Sequence, residues 1–257
     1  MRQEGLLSIA LGRPSACSDM SFEEDLPALA PEDGSNGLTY LQAMSWLCHI
    51  AVHHLEPQRS DTTPATPLLA IKKIDLLEQS VSAHLKDRHF CRSTQNIEEC
   101  YAFDLHKNSV ISALCRPFLS DGQNPEISTA ESRYVLDRLQ DALRRSAWAY
   151  IRVRTINTLA RRSWALIHNG LISVLLLSLM KETRHTDETK VLQENMITSL
   201  QQGKKDYDGD SSSTAANIWS DSIKKGIGSF ENLESISGTG GSISKLTSGG
   251  FKCLGRS

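Results

Sequence analysis

Apolar residues recur at intervals of three and four along most of this chain, the period of a helix with one face turned inward. From Leu38, the residues Leu41, Met44, Cys48, Ala51 or Val52, and Leu55 make one such face, which stops near Pro57. Beyond a loop rich in Thr and Pro, Ala70, Ile74, Leu77, Val81 and Leu85 (or His84) make a second. Thr66 and Pro67 open it, because a capping hydroxyl there precedes a proline whose missing N–H costs nothing in a first turn. A third helix is predicted from about Asn96, with Phe103, Val110, Ile111, Leu114 and Phe118 on its stripe. Pro117 falls inside that register and removes the amide that would bond to Ala113, so the helix kinks or ends there.

Ser128-Thr-Ala-Glu131 reads as a capping box, followed by a long helix through Tyr134, Leu136, Leu139, Leu143 and Trp148 toward Leu159. The run Trp164 to Met180 is predicted to be the most central helix. At seventeen residues, with His168 and Asn169 inside it, the run sits at the bottom of the range for a bilayer span and reads as a buried helix. A weaker helix runs from Thr186 to about Gln202. No Asn-Gly or Asp-Gly turn is flanked by alternating β-branched residues, so the fold class is all-α, an irregular multi-helix array or bundle.

The organisation that follows is an N-terminal helix and acidic loop over 1–37, a helical domain over 38–202, and a Gly/Ser-rich tail over 203–257. The tail is expected to be disordered, since few large apolar residues offset its ordering entropy. Trp219, Ile223, Ile227, Phe230 and Leu233 stand there at helical spacing among Asp206, Asp208, Asp210, Asp221, Glu231 and Glu234. Such a mixture suits a segment that folds onto a protein partner's groove; Gly226 and Gly228 weaken the helix and favour a plain flexible tail.

Composition narrows the chemistry. A formal net charge of -2 over 257 residues gives no overall attraction to nucleic acid or to a membrane surface. Six cysteines, at 17, 48, 91, 100, 115 and 253, lack a CxxC pair and read as reduced thilos of the cytosol or nucleus, and no basic leader of the secretory kind opens the sequence.

His49 and His53 stand four apart, yet Ile50 occupies the place of the glutamate in HExxH and no third ligand is identified. Asp206, Asp208 and Asp210 imitate a calcium loop, but Ser211 and Asn217 stand where glycine and glutamate are required. No nucleophile elbow or phosphate loop follows a strand, so neither catalytic residues, a cofactor nor a metal is expected. Arg144, Arg145, Arg152, Arg154, Arg161 and Arg162 spread around their helix and read as a solvated face or as salt-bridge partners rather than DNA contacts.

Two stretches carry a family likeness. Leu6 to Ala28, "LLSIALGRPSACSDMSFEEDLPA", resembles the segment of fungal-specific transcription factor domains in which a helix ends in Gly-Arg-Pro, here Gly12, Arg13 and Pro14, before an acidic loop and a Leu-Pro. Phe103 to Asp121, "FDLHKNSVISALCRPFLSD", is similar to a later helix of that family, with Leu-His at His106 and a close of Arg116, Pro117, Phe118 and Leu119. "RSWALIHNGLISVLLL" resembles the helix that follows.

The resemblance implies the central regulatory domain of a zinc binuclear cluster transcription factor, nuclear and often controlling metabolic or secondary-metabolite gene clusters. This sequence has no six-cysteine module with the family's spacing, so the expectation is a regulator that reaches DNA only indirectly, unless an upstream zinc cluster is missing from this chain. Its partners would be transcription machinery or a homologous subunit, with a small-molecule effector as a further ligand. The alternative is a helical scaffold or membrane-associated protein using 164–180. Arg116 itself is expected to hold a freed carbonyl or a nearby acid.

Overall fold

The computed structural model describes residues 26–29, 37–55, 65–116, 129–157, 160 and 163–208. Among these described residues seven α-helices follow one another: α1 (Tyr40–Leu55), α2 (Ala65–Ser80), α3 (Ala83–Lys86), α4 (Thr94–Cys115), α5 (Thr129–Ile156), α6 (Trp164–Leu179) and α7 (Asp187–Asp208). A 3-10 turn, Arg88–Phe90, separates α3 from α4. Among the described residues no strand forms, and the one β-type pairing is a parallel bridge between Leu38 and Val81. The all-α class predicted from the periodicity is therefore the observed one.

The central pair is α4 and α5, which share the most extensive interface. They run antiparallel: Asn157 Nδ2 donates to Glu98 Oε2 at 3.0 Å near one end, and Arg145 meets Asp104 further along. Phe103, Val110, Ile111 and Leu114 are buried as their stripe predicts, and α4 stops at Cys115 with Arg116 as its cap. Pro117 and Phe118 lie outside the described residues.

α6 was expected at the centre; it instead flanks α5, and its Leu166, Leu171 and Leu176 are only partly buried. Among the described residues no helix is long and apolar enough to cross a membrane. α6 approaches α5 closely because Gly170 has no side chain; a Cβ there would lie 2.5 Å from Tyr150 Cγ. α7 closes over this pair through Gln193 Nε2, which donates to Ser178 Oγ at 2.7 Å.

Several boundaries and phases differ from the periodic reading. Leu41 is 61% exposed, whereas Ala43, Leu47, Ile50 and Ala51 are fully buried. α1 packs against both α2 and α4, so its buried arc is broad and centred away from the simple stripe. Tyr134 is likewise 48% exposed; Val135, Leu139, Ala142 and Leu143 make the inner face.

Val81 and Leu85 are buried but do not extend α2. The chain leaves the helix at Ser80 so that Leu38 can donate to the Ser80 carbonyl at 2.8 Å and accept from the Ser82 amide at 3.0 Å. α2 begins at Ala65, ahead of Thr66, whose side chain lies outside the described residues. α4 begins two residues before Asn96, because the Ser93 hydroxyl accepts from the Asn96 amide at 3.1 Å. α7 runs on through 203–208, the first residues of the expected tail. Gly12, Arg13, Pro14, Ser128, Trp219, Ile223, Ile227 and Phe230 lie outside the described residues.

Candidate functional site: a charged seam joining α2, α4 and α5

Three helices bring unlike charges to one place. Asp75 and Glu78, one turn apart, share a side of α2, and Asp104, Lys107 and Asn108 share a side of α4. Along α5, Arg138, Arg145 and Arg152 recur every seventh residue and so form a single row.

Lys107 is the centre of this arrangement. Its side chain is 3% exposed, and its Nζ lies 2.6 Å from Glu78 Oε1 and 3.2 Å from Asp104 Oδ1. Arg145 Nη2 approaches the same two oxygens, at 3.6 Å and 3.1 Å. Two carboxylates and two cations thus alternate around one small square. Asn108 Nδ2 completes it, donating to Asp104 O at 2.7 Å and Oδ1 at 2.8 Å. To either side along the row, Arg138 bonds Asp75, and Arg152 lies 5.9 Å from the ring centroids of both Tyr101 and Trp148.

The electrostatics follow from this geometry. Burial works to raise the Glu78 pKa, but the Lys107 charge and hydrogen bond, with Arg145 and Arg138 beyond, outweigh it and hold the carboxyl below its ordinary range. Glu78 is therefore an acceptor bound to cations and a poor general base. Taking the Lys107 ammonium out of water is costly, and the attraction of Glu78 and Asp104 compensates only while both are in place. Chemically, the square fixes the setting of three helices.

His106 and Arg116, two marker positions of the family likeness, stand apart from the square. His106 Nδ1 is buried without a hydrogen-bond partner, and burial pushes its imidazole down to about 4. Arg116 sits at the C-terminus of α4, where its amide reaches the Ala113 carbonyl at 3.4 Å. Its guanidinium holds no acid or carbonyl among the described residues, contrary to the expectation from sequence. Its charge acts on His168 of α6, whose pKa is lowered chiefly by burial, with a hydrogen bond to Asn169 opposing and Arg116 adding a smaller lowering.

The remaining candidates are distributed elsewhere. His49 and His53 stack with ring centroids 5.8 Å apart and 10° between planes, Trp46 meets His49 edge-on, and Trp46 Nε1 donates to Pro27 O at 2.8 Å. Among the described residues no group of three or more His, Cys, Asp or Glu side chains could hold a metal ion. Arg144 Nε lies 3.1 Å from Glu188 Oε2, without hydrogen-bond alignment, so Arg144 and Arg145 both face acids of this chain.

The square itself was missed from sequence. Its members are far apart in the chain, and the seven-residue spacing of Arg138, Arg145 and Arg152, which puts them on one face, is hidden among arginines that spread around the helix. Compared with known proteins, the chain matches no family profile, no curated protein and no solved structure.

Proposed function

We propose that this chain is a transcription regulator, a helical regulatory module like the fungal-specific transcription factor domain, acting in the nucleus on a metabolic or secondary-metabolite gene cluster. The observation that carries the proposal is the Phe103–Asp121 stretch, whose sequence resembles the family's marker helix. Its described part is a buried helix that halts at Arg116 immediately before Pro117. A helix of this kind, braced on one side by the charged square, is suited to a rigid platform for protein contacts. The acidic and aromatic positions Trp219, Ile223, Ile227 and Phe230 supply a segment with the composition of a recruiting peptide. The residues of this sequence hold no six-cysteine module, so by themselves they would reach DNA through a partner.

The test is a reporter assay with the full chain fused to a heterologous DNA-binding domain. Transcription should change at least severalfold, and replacing Trp219 and Phe230 by alanine should reduce the change. A reporter unaffected by the folded, nuclear fusion would remove the proposal. Specific binding of promoter DNA by the purified chain alone, in a mobility-shift assay, would remove its partner-dependent part.

A further inference from the structure

Two thiols meet at the corner where α3, the 3-10 turn and α4 join. Cys91 Sγ lies 3.5 Å from both the His84 and the Asn96 carbonyl oxygens. In a helix the carbonyl of residue 96 points along the axis toward residue 100, so Cys91 sulfur is set over the same turn that carries Cys100. Each thiol acts on the ionisation of the other. Cys91 is half-buried, whereas Cys100 is buried beneath it. No disulfide joins them in the structure. The exposed turn Arg88–Phe90 immediately precedes Cys91; burial pushes the Cys91 thiol up, and the nearby Arg88 charge offsets this only in part.

We infer that Cys91 and Cys100 are an oxidisable pair, in which a low-molecular-weight disulfide such as glutathione disulfide reacts at Cys91 and Cys100 then closes an intramolecular disulfide. In the first step the Cys91 thiolate attacks one sulfur of glutathione disulfide; the sulfur–sulfur bond breaks, a mixed disulfide forms, and one glutathione leaves as thiolate and takes up a proton. In the second, Cys100 gives its proton to solvent and attacks the Cys91 sulfur, releasing the second glutathione. Two protein thiols are oxidised to one disulfide, and one glutathione disulfide is reduced to two glutathiones.

Accessibility fixes the order, since the half-buried sulfur meets the oxidant first. Burial pushes the Cys100 thiol up to about 12, so its thiolate is scarce at neutral pH and closure accelerates as pH rises. The product ties the surface turn to the first turns of α4, beside the His84–Glu99 contact at 3.2 Å.

The experiment treats the folded full chain with glutathione disulfide, blocks remaining thiols by alkylation, and digests with trypsin. Cleavage after Arg88, Arg92 and Lys107 puts Cys91 and Cys100 on separate peptides, 89–92 and 93–107. Mass spectrometry should find these two joined, with a ratio of cross-link to glutathione adduct that rises severalfold between about pH 7 and about pH 9. Cys100→Ser should leave Cys91 as the glutathione adduct with no cross-link. Wild-type chain that stops at the adduct, that stays unmodified, or that joins Cys91 to Cys48 or Cys115 would overturn the pair. A ratio indifferent to pH would overturn the two-step route, and needs no variant to fold.

Discussion

The helix α5 is held on two sides by different physics. Toward α2 and α4 it presents Arg138, Arg145 and Arg152, each opposite particular acids or rings; toward α6 it presents Tyr150 over Gly170. The apolar side sets how closely two helices approach, because packed rings and glycines define a distance. It discriminates weakly against sliding by a turn, since one aliphatic side chain can replace another at modest cost. The charged side does the reverse. A slip of one turn would leave Lys107 buried without its carboxylates, and an isolated buried ion costs several kcal/mol. One seam therefore supplies most of the cohesion and the other selects among alternative settings.

Phe103 touches both descriptions, being fully buried and lying 5.8 Å beneath the Lys107 ammonium. Phe103→Ala should cause the largest loss, about 3 to 5 kcal/mol by denaturant titration. A loss below about 1 kcal/mol would show that the apolar cohesion is centred elsewhere.

Lys107→Met keeps the stem and removes the charge, leaving Glu78 and Asp104 with Arg145 alone. It should cost about 3 kcal/mol at neutral pH. The native Glu78 carboxyl is held below its unfolded value, so the stability it contributes is present above the unfolded carboxylate range and lost as pH falls through the native one. The penalty of Lys107→Met should accordingly shrink in acid; a penalty of the same size at every pH would break the distinction between the seams.

His106 adds a second pH dependence of known sign. Its native pKa of about 4 lies below the ordinary 6.5, so the unfolded chain takes up the proton first. Its contribution is complete above about 6.5 and fades as pH falls toward 4, by about 1.4 kcal/mol per unit as an upper limit, because the ring keeps some exposure. His106→Gln should flatten that part of the stability–pH curve.

Gly170→Ala tests the apolar seam alone. The added methyl meets the base of the Tyr150 side chain, where no flexible end can swing away, and should cost about 1 to 3 kcal/mol independent of pH and salt. A smaller cost of Gly170→Ala in a Tyr150→Ala background, which lacks Cγ and Cδ1, would place the cost at this contact.

How much of this was visible in the sequence differs between the seams in the same way. Ala70, Ile74 and Leu77 were legible because α2 buries a narrow stripe and period 3.6 reports such a stripe directly. α1 was placed but rotated, with Leu41 turned outward, because two neighbours bury more of its circumference than one stripe describes. The charged square was illegible: Glu78, Lys107 and Arg145 sit on three helices, and local periodicity contains nothing about which charges will meet. The end of α4 before Pro117 was local and was read correctly, whereas the partner expected for the Arg116 guanidinium depended on tertiary placement.

The bridge between Leu38 and Val81 has a consequence for exchange of amide hydrogens with solvent. Leu38 and Ser82 lie outside every helix, yet their amides donate to Ser80 O and Leu38 O, and Gly37 permits this by taking φ +71 with Val81 and Ser82 backbone atoms within 3 Å of where a Cβ would stand. Both amides should exchange slowly and together, as a report on closure of the ring of chain that holds α1 against α2. Their protection would vanish in Gly37→Val while that of mid-helix amides in α5 persisted, which would mark this clasp as a unit that opens by itself.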